Sequence, residues 1–321
     1  MRVSEAMTAK QVFHVPVLRQ EVVEGLITAP EGIYVDATLG GGGHAEALLE
    51  ALEPGGKVVG IDQDPDALQA ASERLQARFG DRFRAIQGNF ADMETLLREA
   101  GIQTVDGILL DLGVSSHQID TAERGFSFQQ EGPLDMRMNP AQEITAETLV
   151  NAWSLDELTR ILREYGEERR APRIARAIVQ HRPIRSTHAL AEVVRSVVPP
   201  REQTKTLARV FQALRIAVNN ELQVLERALK AGLHLLRPGG RMAVISYHSL
   251  EDRRVKRFFR YGNLEGKPVR DFYGHLLTPW RLITRKAIQP SVEEVAQNPR
   301  ARSARLRIAE KVEVPENQTS A

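Results

Sequence analysis

Short apolar runs closed by turn signals punctuate the first third of the chain. Tyr34-Val35, Val58 to Ile61 and Ile108 to Leu110 show no apolar–polar alternation, which predicts strands buried on both faces, as in a parallel sheet. Phe83 to Phe90 reads as a further strand of the same kind. Helical stretches separate them: Ala45 to Leu52, and a helix opened by Asp64-Pro65, with Asp as N-cap and Pro at the first helical position. Ahead of this core, His14 to Leu18 reads as a short segment and Glu21 to Leu26 as a helix. After Gln118 the alternation of strand and helix stops. Gly125 to Met138, with Gly132-Pro133, reads as a long irregular loop, and loops of that length inside a domain are usually functional or mobile. A helical block follows over Thr145 to Val198, with a capping box at Ser154-x-x-Glu157 and helices at Arg169 to Ile178 and Ala189 to Val198. The α/β pattern resumes with one long helix, whose stripe runs Leu207, Val210, Phe211, Leu214, Val218, Leu222, Leu225 and Leu229 at three- and four-residue steps. Arg237-Pro238-Gly239-Gly240 ends it. A strand over Arg241 to Tyr247, a loop over His248 to Asp252, a basic helix through Arg260, and strands at Trp280 to Lys286 and Ala304 to Ile308 complete the pattern.

This order predicts an α/β, Rossmann-like fold, a mostly parallel sheet flanked by helices, with an all-helical domain inserted. The expected division is a discontinuous α/β domain over 11–118 and 203–312, a helical insertion over 119–202, and flexible tails at 1–10 and 313–321. Composition narrows the class. The 321 residues contain no run long enough to cross a bilayer, so no membrane role is expected. The absence of Cys excludes disulfides, thiolate zinc sites and a Cys nucleophile, and with no signal-peptide pattern at the N-terminus the expected location is the cytoplasm. The net charge of +1 hides an uneven distribution, because Arg dominates 169–185, 253–260 and 300–307.

The chemistry concentrates where Tyr34-Val35-Asp36 runs through Ala37-Thr38-Leu39 into Gly40-Gly41-Gly42-Gly43-His44. Glycines at a strand–helix turn permit positive φ and let a ligand approach backbone N–H groups. Gly40-x-Gly42-x-x-Ala45 also satisfies the dinucleotide fingerprint, so a nicotinamide-type cofactor and S-adenosylmethionine both fit the spacing. Asp36 separates them: its fixed negative charge would repel a pyrophosphate and attract a sulfonium and an α-ammonium. Asp62, about 20 residues past the glycines, has the spacing of a carboxylate that accepts hydrogen bonds from ribose hydroxyls, and a solvated loop Asp is the plainer reading. Phe90 stands where an adenine would lie, or packs as ordinary core. In an open parallel sheet these strand ends, with Asp111 and His248, converge on one crevice. Methyl transfer there needs in-line positioning and no metal cluster.

Longer blocks go beyond a cofactor motif. They are Gly41 to His44, Gly107 to Ser116, Glu123 to Phe128, Gly132 to Arg137, Tyr165 to Arg169, Ile245 to Asp252 and Asn298 to Arg302. On these, the chain from His14 to Glu310 closely resembles the bacterial 16S ribosomal RNA cytosine-N4 methyltransferase family. The resemblance implies an S-adenosylmethionine-dependent enzyme that methylates the exocyclic amine of one cytidine in the decoding region of the small ribosomal subunit. It also implies cofactor contacts at Gly42, Gly43, His44, Asp62, Phe90, Asp111 and Gln118. One departure from amine-directed DNA methyltransferases stands out: their Asn/Asp/Ser-Pro-Pro-aromatic motif is replaced by Asp111-Leu-Gly-Val. For the N–H of the acceptor amine, Asp111 is the leading candidate, with His248 and Ser115 behind it and a turn His and a loop-capping Ser as their plainer roles. Arg169, Arg170, Arg173 and Arg176, and Arg253, Arg254, Lys256, Arg257 and Arg260, are candidate RNA-backbone contacts. The competing functions are a dinucleotide oxidoreductase and a non-catalytic RNA-binding protein that keeps a nucleoside pocket.

Overall fold

A computed structural model describes residues 16–313; the expected tail at 1–10, all of that at 313–321 but its first residue, and part of the segment from His14 to Leu18 lie outside them. Seven strands form one sheet: β1 (Ile33–Asp36), β2 (Lys57–Asp62), β3 (Phe83–Gln87), β4 (Val105–Asp111), β5 (Leu236–Ser246), β6 (Trp280–Leu282) and β7 (Arg305–Lys311). Their order is β3-β2-β1-β4-β5-β7-β6. The first five are parallel, while β7 runs antiparallel to both β5 and β6. The order reverses between β1 and β4, which pair directly, with Asp36 opposite Leu109. Ligands in open α/β sheets bind outside the carboxyl ends at such a reversal.

The helices are α1 (Arg19–Leu26), α2 (Gly43–Ala51), α3 (Pro65–Phe79), α4 (Met93–Glu99), α5 (Ser116–Asp120), α6 (Ala146–Ala152), α7 (Leu155–Glu164), α8 (Ala171–Gln180), α9 (Thr187–Ser196), α10 (Gln203–Asn219), α11 (Glu221–Leu235), α12 (Ser249–Tyr261) and α13 (Val292–Gln297). None is long and apolar enough to cross a membrane. Apolar clusters cover both faces of the sheet, one centred on Val35, Ile108 and Leu229, the other on Leu48, Leu109 and Ile308. That two-sided burial explains the unalternating strands. A third cluster lies wholly among α6 to α10, with Leu134 and Met136 of the preceding loop. Local signals hold as expected: Asp64 caps α3 by accepting from the Asp66 N–H, and Ser154 and Glu157 form the capping box of α7.

The structure corrects two expectations. The long helix is two, broken where Asn220 takes a left-handed conformation, φ 50° and ψ 34°. An apolar stripe in step on both sides of the break conceals it. Leu207 to Val218 face the helical core, whereas Leu225 and Leu229 face the sheet. We therefore place the end of the helical module at Asn220, beyond the boundary expected at 202. The segment Phe83 to Phe90 stops being strand at Gln87, and Phe90 opens a short 3₁₀ turn.

The loop from Gly125 to Met138 is pinned along its length. Gly132 N donates to Thr187 Oγ1 at 3.0 Å, Leu134 N to Arg185 O at 3.2 Å and Met138 N to Asn219 Oδ1 at 2.8 Å. Asn219 also donates to Met136 O at 2.8 Å and Arg215 O at 2.9 Å. Asn219→Ala would leave buried backbone groups of the loop unpaired, at about 1–3 kcal/mol for each group. We expect the variant to lose about 2–4 kcal/mol in urea unfolding, and an unchanged midpoint would show that the loop does not depend on this clamp.

Candidate active site

The glycine loop is shaped by close approach. Gly42 sits at φ 75°, and a Cβ there would stand 2.9 Å from Leu75 Cδ1 and 3.1 Å from Ala71 Cβ, so both backbone angle and space require glycine. Gly42 is the N-cap of α2, and Gly43 and His44 form its first turn. Gly40 N donates to Asp62 Oδ2 at 2.7 Å, and Asp64 N donates to Asp62 Oδ1 at 2.9 Å. Asp62 therefore holds the loop as well as facing the crevice. Burial pushes its carboxyl above the ordinary range, against the pull of these backbone donors. Next to it, Asn89 Nδ2 donates to Gln63 Oε1 at 3.0 Å, which fixes the turn carrying the half-buried Phe90.

Asp36 and Asp111 end the two strands that flank the reversal. Asp36 is 1% exposed; its Oδ1 accepts a long bond from Thr38 N at 3.3 Å and its Oδ2 has no partner among the described residues. Both nitrogens of the buried His44 ring also lack hydrogen-bond partners among the described residues, and its Nε2 stands 3.6 Å from Asp111 Oδ2. Asp111 is fixed twice. Its N–H donates to Thr38 Oγ1 at 2.6 Å, and its Oδ1 accepts from the Tyr247 hydroxyl at 3.0 Å. Burial, then the Asp111 charge, pushes the Tyr247 phenol upward, so it remains a protonated donor. Burial also pushes the Asp36 carboxyl up to about 6; His44 pulls it down, and Asp111 and Asp62 add to the rise.

Gln118 joins this crevice by a less direct route. Its Oε1 accepts from Ser115 N at 3.1 Å and its Nε2 donates to Asp64 Oδ2 at 3.2 Å, where Arg124 Nη1 also lies at 2.9 Å. Ser115 Oγ accepts from Gln118 N at 3.2 Å, the loop-capping role. His248 turns elsewhere. Its Nε2 lies 3.2 Å from Glu251 Oε1, in a cluster with Glu221, whose two oxygens accept from Arg215 at 2.8 and 2.9 Å. Burial opposes ionisation of Glu251, yet His248, Arg215 and the Tyr247 N–H together hold its carboxyl below the usual range. Asp36, His44, Asp62, Asp111 and the glycines thus form one group, while Phe90 packs against the apolar cluster around Ile108 and the buried Gln118 is tied to Asp64. Ser115 serves a cap and His248 the start of α12. Sequence reasoning missed Thr38 and Tyr247, which position Asp111, and the tie from Asp64 to Arg124. The polar positions flanking the strand ends were the available signal.

The basic clusters are partly neutralised from within. Arg170 pairs with Glu202, Arg253 with Glu167 at 3.1 Å and Arg254 with Glu226 at 2.8 Å. Arg169, Arg173, Arg176, Lys256, Arg257 and Arg260 are exposed, and none has a carboxylate partner among the described residues.

An unpartnered, buried carboxylate oxygen beside a glycine cradle suits a ligand that brings positive charge, and a second carboxylate on the neighbouring strand suits its polar groups. With strand order β3-β2-β1-β4-β5-β7-β6, the fold and site define an S-adenosylmethionine-dependent methyltransferase. The chain belongs to the MraW methylase family, whose model matches residues 11–312. It is 52% identical to the Ribosomal RNA small subunit methyltransferase H of Geobacter sulfurreducens, over 93% of this chain and 99% of that protein. It is 48% identical to the protein of the same name from Flavobacterium johnsoniae, over 95% of this chain and all of that one. A solved rRNA methylase from Streptococcus thermophilus is 14% identical, with a TM-score of 0.42 over 92% of this chain and 94% of that chain. The strand order, not that last likeness, carries the fold.

Asp36 supplies a pH test. Its folded pKa of about 6 lies above the ordinary 3.8. Below 3.8 the carboxyl is protonated in both states, and as pH rises through about 6 the folded chain must ionise a buried group that ionises freely when unfolded. The ligand-free protein loses stability across that window, about 3 kcal/mol in all at 1.36 kcal/mol per unit. Asp36→Asn should therefore be more stable than the wild type near pH 7.5, by up to about 3 kcal/mol, with the advantage shrinking towards pH 5. It should also bind S-adenosylmethionine about ten- to a hundredfold more weakly. Thermal melts and titration calorimetry check both; a variant less stable at every pH, with unchanged affinity, contradicts this role for Asp36.

Proposed function

We propose that this protein transfers a methyl group from S-adenosylmethionine to the exocyclic N4 of one cytidine in the decoding region of small-subunit ribosomal RNA. The observation that carries the reading is Asp111, whose side chain is 24% exposed at the strand reversal while one oxygen is fixed by Tyr247. Support for the RNA comes from the names of relatives about half identical over nearly the whole chain. S-adenosylmethionine, when bound, supplies an electrophilic methyl on a sulfonium.

The residues perform the rest. Gly42, Gly43, His44 and Asp36 would hold the methionine end, Asp62 the ribose and Phe90 the adenine, with Gln118 securing the loop beside Asp64. The cytosine N4 lone pair is delocalised into the ring, and it gains nucleophilicity as the nitrogen becomes pyramidal. Asp111 accepts an N–H of that amine, which orients it and draws the nitrogen out of conjugation. After transfer the nitrogen is cationic, and Asp111 is placed to stabilise it and take its proton. Tyr247, a persistent donor, keeps the Asp111 carboxylate in one rotamer. A cavity of about 140 Å³ lined by Tyr247, His248, Gln289, Arg302 and Arg305 lies beside it, and Arg302 there offers a cation for the phosphate of the target nucleotide, Arg305 being 3.6 Å from Asp252. The exposed Arg169, Arg173 and Arg176, with Lys256, Arg257 and Arg260, hold the RNA backbone and make binding fall steeply with salt.

Mass-spectrometric nucleoside mapping of small-subunit RNA, with and without the protein, tests the reading. N4-methylcytidine should appear at one position only with active protein, and Asp111→Asn should cut turnover by about a hundredfold or more. No modified cytidine, or a modified base of another kind, would refute the cytosine-N4 assignment.

A further inference from the structure

Between α12 and β6 the chain builds a hairpin that the methyl-transfer site does not use. Leu277 N donates to Val269 O at 2.8 Å, Asp271 N to His275 O at 3.0 Å and Gly274 N to Asp271 O at 3.0 Å. The Asp271 carboxylate accepts from His275 N at 2.8 Å and lies 3.0 Å from His275 Nδ1, while Arg270 donates to Gly274 O at 2.6 Å. A turn braced from both sides presents Phe272 and Tyr273 at its tip, 97% and 82% exposed and packed edge to face with ring centroids 5.6 Å apart. Two aromatic rings held outward on a fixed turn are costly in water unless something covers them.

The surroundings indicate what does. Lys267, Arg270 and His275 flank the rings and are exposed. The hairpin leaves from the end of α12, beside an open groove of about 480 Å³ lined by Lys256, Arg260, Arg285, Leu282 and Arg307, with no acidic residue in its wall. Arg307 is committed to Asp252 at 2.7 Å, while Lys256, Arg260 and Arg285 have no carboxylate partner among the described residues. Strand register places the groove between the catalytic crevice and the hairpin. Arg307 pairs with Val244, two residues before the crevice end of β5, and Trp280, the residue after the hairpin, pairs with Lys311, one residue past the Arg241–Glu310 pair in the direction away from the crevice. The 13 residues of α12 cover the same path, about 20 Å at 1.5 Å per residue.

Cations along a track and exposed aromatic rings at its end are the two elements of single-strand nucleic-acid binding, a backbone funnel and a stacking platform. We propose that the hairpin tip is a stacking finger for unpaired bases of the substrate RNA, whose backbone runs through the α12–β6 groove to the target cytidine. The inference rests on the ribosomal RNA reading. It adds a second contact at the far end of α12 from the crevice, about 20 Å along that helix, so the protein recognises a folded RNA with an unpaired stretch near its target and discriminates against a short fragment carrying the target alone.

The test uses the full chain and small-subunit particles lacking the modification. Phe272→Ala with Tyr273→Ala should raise KM for the particle about ten- to a hundredfold, leave S-adenosylmethionine affinity unchanged, and abolish ultraviolet crosslinks between the tip peptide and RNA. Phe272→Trp with Tyr273→Trp should restore KM, because any flat ring can stack. Lys256→Ala with Arg285→Ala should flatten the salt dependence of binding by about two powers of salt concentration. A wild-type KM in the double alanine variant overturns the proposal. So do crosslinks to a ribosomal protein in place of RNA, or a concentration-dependent dimer that the alanine variant alone loses. Wild-type protein that methylates no small-subunit RNA overturns the functional reading as well, which separates that failure from failure of the finger alone.

Discussion

One electrostatic constraint organises the molecule: a buried carboxylate at the strand reversal has an oxygen without a partner among the described residues. Asp36 arrives there because β1 lies between β2 and β4, and Asp111 arrives beside it because β4 begins the other half of the sheet. Hydrophobic burial on both faces fixes those strands, and the sheet in turn sets the Asp111 charge against the Asp36 carboxyl, which helps to raise its pKa. The protein keeps an unfavourable charge buried at the sheet's reversal, and a cationic ligand is the partner that relieves it.

The helical module is tied to that crevice at several points. Asp64, which caps α3 next to Asp62, also holds Arg124 and Gln118 where the chain leaves the sheet. Ser249 and Arg253 at the start of α12 both donate to Glu167 of the module, and Asn219 closes the far end of its entry loop. Arg124, Glu167 and the Gly132 to Arg137 stretch are therefore structural parts of the site. They fix how the module stands over the strand ends, and hence where its exposed arginines face.

Most of the fold was legible because its signals are local. Unalternating strands, the Asp64-Pro65 start and the Ser154–Glu157 box each depend on residues within one turn or strand. The break at Asn220 was not, because apolar spacing continues through it and only the change of partner, from helical core to sheet core, reveals two helices. The site was legible where topology forces convergence, as with Asp36, Asp62 and Asp111. It was not legible where side-chain direction decides. His248 sits at a strand end, yet its ring goes to Glu251, while its neighbour Tyr247 reaches Asp111. The Arg clusters show the same limit: sequence gives the number of cations but not which are spent on Glu202, Glu167 and Glu226.

The charge held at Asp36 can be measured directly through the protons exchanged when S-adenosylmethionine binds. A cation placed against this carboxylate lowers its pKa, so binding at pH 6 should release protons, about half a proton per site, with release falling towards zero by pH 8. Titration calorimetry in buffers of different ionisation enthalpy reads this number. No release at pH 6, or net uptake, would contradict a cofactor site built on a buried, unneutralised carboxylate.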